Sequence, residues 1–193
     1  TLTASTTVNG VLTLTTGYFY INDNLLTLSS TASIGGSPGV AASRNWIITN
    51  GVLSDAGVRK VFPAGSPAAF AFPLGVNGKY TPVSYSVAYD GSNPGSITVK
   101  PVNAKMPSLT NALSDELQYY WNVASTPFGG LTNATHTYNY IQSDVTGTES
   151  NYVGARYYSN LWTNLGAGVM NTTANTITLT QNYIDGEYTC GEP

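Results

Sequence analysis

A chain of 193 residues with a net charge of −3 and only 9% charged residues has room for one large β domain, or two small ones packed together, with a sizeable buried core. Charged residues make up about a quarter of an ordinary soluble domain; here Thr, Ser, Asn and Gly take their places, so a neutral, polar surface is expected. Seven basic residues against ten acidic ones, with Arg59-Lys60 as the one adjacent basic pair, argue against a nucleic-acid partner. Apolar runs such as 11–14 and 46–48 fall far short of the ~18 consecutive residues a bilayer span requires, so no membrane insertion is expected.

Residues 1–7 lack the basic start and apolar run of a signal peptide, which implies a processed chain or an excised piece. From 8 to 62, short apolar bursts alternate with Gly and Asn. Val11-Leu12-Thr13-Leu14 is echoed by Leu25-Leu26-Thr27-Leu28, and Asn9-Gly10-Val11-Leu12 by Asn50-Gly51-Val52-Leu53. Such bursts are strand and turn signals, because Gly and Asn accept the positive φ of tight turns. The echoes point to rungs of a short β-solenoid, with a plain meander as the competing arrangement.

Gly35-Gly36-Ser37-Pro38-Gly39 matches a nucleophile elbow in letters, but Pro38 and the absence of a helical face over 40–44 make it a loop. Asp23, between Asn22 and Asn24, and Asp90 in a Gly/Ser/Asn stretch offer oxygens of the kind calcium prefers; Asx-rich turns explain both without a metal.

Longer strands begin near Phe70. Over 82–89, Val83, Tyr85, Val87 and Tyr89 share one face and Ser84, Ser86 and Ala88 the other, so one side is core and the other wet. The turn 90–95 followed by the alternating 96–100 reads as a hairpin. Further strands are expected at 117–123, 135–141, 152–158 and 176–180, a spacing that suits a β-sandwich. One helical turn or two is expected within 108–117, where Leu109, Leu113 and Leu117 recur every four residues.

A serine triad or a histidine metal site would have to use His136, the one histidine; its parity with Tyr138 and Tyr140 places it on an aromatic strand face instead. A glycosidase needs only two carboxylates at a set separation, which ten acidic residues could supply; Asp115 and Glu116 are adjacent, but neighbouring side chains diverge, so their adjacency is no argument for such a pair. No catalytic, cofactor or metal set is assigned. A lone Cys190 cannot close an internal disulfide and is read as a half-buried small residue.

Fourteen tyrosines and three tryptophans are the most suggestive feature. In Gln118-Tyr119-Tyr120-Trp121-Asn122 both parities are aromatic, and Tyr157, Tyr158 and Trp162 form a second cluster. Core packing claims most of these rings, and Tyr119, Tyr120, Trp121, Tyr157, Tyr158 and Trp162 are the candidates for stacking on a sugar.

Asn50-Gly51-Val52-Leu53, Phe72-Pro73-Leu74-Gly75, Tyr80-Thr81-Pro82-Val83, Tyr120-Trp121-Asn122-Val123 and Gly186-Glu187-Tyr188-Thr189-Cys190-Gly191-Glu192 occur in that order. In this the chain resembles modules of large surface proteins of Bacteroidota exported by the type IX secretion system, some of which act in adhesion or gliding. The resemblance implies an extracellular, modular, β-rich protein and brings no catalytic residues; Cys190 stands where a small residue, often Ala, is expected.

The fold expected is therefore all-β: a short solenoid-like layer over 1–66 and an antiparallel, Ig-like or jelly-roll-like sandwich over 67–193, packed as one unit through Trp46, Ile47 and Ile48. The function expected is a non-catalytic structural or adhesive module at the cell surface or in a filament, with neighbouring modules as partners. A carbohydrate-binding module is the alternative, with glycans as partners.

Overall fold

The structure, a computed structural model, describes residues 1–107 and 113–193. It is nearly all β: nineteen strands and a few single-turn 3-10 segments among the described residues. Over the first third, successive bursts stack in parallel. β1 (Thr6–Val8), β4 (Leu26–Leu28) and β7 (Val58–Val61) form one ladder. β2 (Val11–Leu14) and β5 (Ser33–Gly36) form a second, and β3 (Phe19–Asn22), β6 (Ile47–Thr49) and β9 (Leu74–Val76) a third.

The chain thus passes through three sheets before returning to pair with itself. The inward residues Leu14, Ile21, Leu26, Leu28, Ile47, Val58 and Leu74 stack in a common core. Lys60 closes one corner: its ammonium, buried with the side chain, donates to the carbonyls of Ser29 (2.6 Å) and Ala32 (2.7 Å). Burial lowers its pKa.

The register differs from the one the sequence echoes imply. Val11 pairs with Ser33 rather than Leu25. Asn50-Gly51-Val52-Leu53 is no rung but a turn, with Gly51 at φ 76° and Val52 and Leu53 exposed. The fully buried Asp55 organises it by accepting the N–H groups of Gly51 (2.8 Å) and Val52 (3.2 Å). A carboxylate satisfying turn amides mimics, in letters, an apolar burst preceded by a corner.

The remaining strands are antiparallel. β8 (Ala68–Phe72), β11 (Val83–Ala88), β14 (Asn133–Asn139), β18 (Thr176–Gln181) and β17 (Met170–Asn171) form a five-stranded sheet, while β10 (Lys79–Tyr80) joins the edge of β9. β12 (Ser96–Val102), β13 (Tyr120–Thr126), β19 (Gly186–Gly191), β15 (Val153–Tyr158) and β16 (Leu161–Gly166) continue the β1–β4–β7 ladder into an eight-stranded sheet. The alternation read over 82–89 holds: Val83, Tyr85, Val87 and Tyr89 are buried, while Ser86 is exposed and Ser84 and Ala88 half-buried.

The hairpin expected across 90–95 does not form. β11 pairs with β8 and β14, and β12 pairs with β7 and β13, so the turn carries the chain from one sheet to the other. Two alternating strands flanking a Gly-rich turn look the same in sequence whether they pair or arch across a core. Residues 108–112, which carry most of the helical expectation, lie outside the described residues; beyond them Glu116 bridges antiparallel to Gly191. β16 and β19 had no counterpart in the sequence reading.

Two ladders cross residue 66. β7 pairs with β12, and Ile47 and Ile48 of β6 pair with Leu74 and Gly75 of β9; the ring of Trp46 lies 5.4 Å from that of Tyr80. A fragment comprising residues 1–65 loses both ladders together with the apolar surface of Leu74 and Val99. Circular dichroism and limited proteolysis are expected to find it unfolded, whereas cooperative unfolding of the isolated fragment would show that its three parallel ladders suffice.

Candidate functional site

The two large sheets meet through aromatic rings. Tyr138 of β14 stacks on Tyr188 of β19, with centroids 4.8 Å apart, and lies 5.2 Å from Trp121 of β13. The Trp121 indole N–H donates to the Thr81 carbonyl (3.3 Å), and the hydroxyls of Tyr119 and Thr81 are 2.6 Å apart. Tyr120 points to the other side of the sheet and is covered there by Met106 and Leu113.

Tyr119, Tyr120 and Trp121 are therefore 0%, 3% and 0% exposed, and none presents a face to a ligand. The sugar-stacking expectation for these three is corrected. Their strand lies inside the eight-stranded sheet, with the five-stranded sheet on one side and the segment after β12 on the other, so aromatics of both parities are core.

His136 sits in the same interior, fully buried. Its Nε2–H donates to the Tyr183 carbonyl (2.9 Å), which leaves Nδ1 to accept from the Tyr138 hydroxyl (3.2 Å); that hydroxyl in turn lies 2.8 Å from the Tyr85 hydroxyl. Burial lowers its pKa from 6.5 to about 4, the Tyr183 carbonyl opposes this, and the Arg156 charge adds to the lowering. The ring is a neutral structural link rather than a base or a metal ligand. Cys190, on the central strand β19, is fully buried rather than half-buried, and burial pushes its thiol pKa well up.

The remaining candidates resolve as turns and pins. Asp90 Oδ1 accepts from Ser92 N–H (3.0 Å), Ser92 hydroxyl (3.0 Å) and Asn93 N–H (3.3 Å), an Asx turn whose bonds from Ser92 lower the carboxyl pKa. Of the stretch 35–39 expected as a loop, Gly35 and Gly36 instead end β5, where they pair with Thr13 and Leu14. Only 37–39 is a loop, held by the buried Asn45, which donates to the Ser37 carbonyl (2.6 Å) and accepts the Val40 N–H (2.9 Å). Glu116 is buried with Lys105 Nζ 2.7 Å from its Oε1, and Lys79 ion-pairs with Asp144 across from Tyr119.

What the fold brings to the surface is a row. Lys100 pairs with Asn122, Asn122 with Glu187, Glu187 with Tyr157 and Tyr157 with Trp162, so five adjacent strands place one residue each side by side. All five are half-buried. Asn122 donates its amide N–H to Glu187 Oε1 (3.0 Å), and the Tyr157 and Trp162 rings lie 5.1 Å apart at an interplanar angle of 38°.

A groove of about 430 Å³ is lined by Asn122, Glu187 and Tyr157 of this row together with Ala124, Gly186 and Tyr158, the last 48% exposed. Tyr158 in turn covers the Arg156 guanidinium (4.6 Å), which lies 3.9 Å over Tyr183. Of the six aromatic candidates, Tyr157 and Tyr158 line this groove, whereas Trp162 does not and packs, like Tyr157, against the cluster of Tyr120, Met106 and Leu113. Lys100, Asn122 and Glu187 were missed because their neighbourhood is made by cross-strand register and not by spacing along the chain. Their outward parity was the one signal available.

Comparison with protein-family models, with curated proteins and with solved structures gives no match to this chain.

Two measurements probe the interior. The folded state holds His136 neutral while the unfolded chain binds its proton below about pH 6.5, so stability is fully present above that pH and falls as pH drops toward 4. The full loss is at most about 3 kcal/mol. Denaturant unfolding at intervals between pH 7 and pH 4 should show this decline, and His136→Phe should flatten it between pH 7 and 5; an unchanged profile in the variant would contradict the assignment. Cys190 should resist an aromatic disulfide reagent in the native protein and react as one thiol after denaturation. Rapid native labelling would mean that β19 is not interior.

Proposed function

We propose that the chain is a non-catalytic structural or adhesive module of a large extracellular surface protein or filament, in which a short three-faced β-solenoid runs into a β-sandwich. The observation that carries this reading is the eight-stranded sheet, which extends for roughly 34 Å across its strands at about 4.8 Å per step. Its two edges, β1 and β16, carry no charged side chain: Thr6-Thr7-Val8 at one end and Leu161-Trp162-Thr163-Asn164-Leu165-Gly166 at the other.

Soluble monomers usually blunt such edges with charges or prolines, because an open strand recruits another strand. Uncharged edges at opposite ends suit a unit that continues into neighbours on both sides. Leu161 at the β16 edge is 70% exposed, and burying it against a neighbour would remove a sizeable apolar contact from water. The resemblance of the ordered motifs to surface modules of type IX-exported proteins supports an extracellular parent protein on this reading.

Electron microscopy and multi-angle light scattering of the native protein should find elongated or polymeric particles. A compact monomer secreted at this length would contradict the proposal.

A further inference from the structure

We propose that the groove between β5 and β8 is an acceptor site for an extended, uncharged segment of another polypeptide, which inserts there as an added strand. The first nine strands make three rungs, β1-β2-β3, β4-β5-β6 and β7-β8-β9. At the first and third positions of the rung the stacking is continuous: β4 pairs with β7, and β6 with β9. At the middle position it breaks. β5 pairs with β2 alone, while β8 leaves the stack and pairs antiparallel with β11.

The break has a local cause. After β7 the segment 63–67 is tied to the turn beyond β11 rather than to the rung beside it. The Gly65 N–H donates to the Gly91 carbonyl (3.1 Å), the Ser66 hydroxyl accepts the Tyr89 N–H (2.8 Å), and the Tyr89 hydroxyl donates to the Pro63 carbonyl. Lys60 holds the other lip, its ammonium donating to the carbonyls of Ser29, Ser30 and Ala32 just before β5. Both lips are thus fixed, and between them lies a groove of about 750 Å³.

This groove has the floor of a core and the rims of a sheet. Ile34, Ala68 and Phe70 pack against the hydrophobic interior yet stay half-buried, and the Phe70 ring lies 5.2 Å from the Lys60 ammonium. No side chain of Ser33–Gly36 or Ala68–Phe72 is charged. Soluble proteins usually blunt an open strand edge with charge or proline, whereas here two unblunted edges line one groove.

Main-chain geometry selects the occupant. On each edge, donors and acceptors free of the existing ladder recur at every second residue, about 6.8 Å apart. An extended polypeptide carries donors and acceptors on both of its own edges at that same period. A strand already paired in a folded sheet has at most one free edge, so the occupant is a linear segment and not a strand of a second folded copy. β8, five residues long, offers it about 17 Å.

Insertion joins β2–β5 to β8–β11–β14–β18–β17 in a sheet of eight strands, as many as the sheet opposite. Alternate side chains of the occupant then fall on Ile34, Ala68 and Phe70 and are apolar. A charged one finds no partner there, because the Lys60 ammonium is already taken by three carbonyls. The site is complete in a single chain, so it does not depend on the filament reading.

The test is hydrogen exchange followed by NMR on the full chain, with three capped heptapeptides that alternate Val, Ile or Leu with Thr as probes. In the free protein the groove-facing amides of β5 and β8 should exchange rapidly, since no strand covers them. At least one probe at saturation should slow them about tenfold or more and leave the amides of the β16 edge unchanged. Methylating alternate backbone nitrogens of that probe should abolish the effect by removing its donors. Ala68→Phe, which fills the floor, should weaken probe binding about tenfold while β11 keeps its protection; should the variant not fold, the methylated probe decides alone.

Groove-facing amides already slow in the free chain would mean that β5 and β8 close on each other, and would overturn the site. Failure of all three probes, equal slowing at β16, undiminished slowing by the methylated probe, or full-strength binding to folded Ala68→Phe would overturn it as well.

Discussion

The antiparallel pairing of β7 with β12 is the joint on which the rest of the molecule depends. β7 accepts a parallel partner, β4, on one side and an antiparallel partner on the other, through Val58↔Val99, Arg59↔Thr98, Lys60↔Ile97 and Val61↔Ser96. A stack of three-residue strands cannot bury enough apolar area to offset the entropy of ordering its chain. Continuing the stack into a sheet that already has a full core lets both parts share Leu26, Val58, Ile97 and Val99, all fully buried.

That shared core is aromatic, and its polar atoms are largely satisfied from within. Tyrosine hydroxyls bond to each other, to His136 and to backbone carbonyls, as in the Tyr188 hydroxyl donating to the Ile184 carbonyl (2.8 Å). With few charged residues in the whole chain, ion pairs contribute little, and large rings with a polar tip do two tasks at once: they fill volume between sheets and connect strands by hydrogen bonds. Among the described residues the Trp46 indole N–H, buried between Tyr18 and Tyr80, is an exception that has no hydrogen-bond partner.

Strand parity was legible in the sequence wherever a strand has one wet side, as over 82–89, because alternation is then forced by burial. It failed at 119–121, where β13 is covered on both sides and alternation vanishes. Pairing partners were not legible. The choice between a hairpin and an arch at 90–95, and the parallel partners of Val11 and Leu26, depend on long-range packing that leaves no local mark. β19 was missed because Gly186, Cys190 and Gly191 do not read as a strand, yet Gly191 is needed there: a Cβ would come within 2.5 Å of the Asp115 carbonyl.

The surface row shares this property of being written in register rather than in sequence. Lys100, Asn122, Glu187, Tyr157 and Trp162 come from five strands, and a slip of one residue in any of them would turn its side chain into the opposite face. The rigidity of the sheet, set by the β7–β12 joint and the aromatic interior, is thus also what positions the row. Native-state hydrogen exchange tests this dependence most directly, by comparing the amides of β4 and β7 with those of β12 and β13. The account predicts that all four strands exchange through one global opening with the same free energy. Independent exchange of β4 and β7 at a markedly lower free energy would contradict it, and would mean that two separately stable parts merely abut.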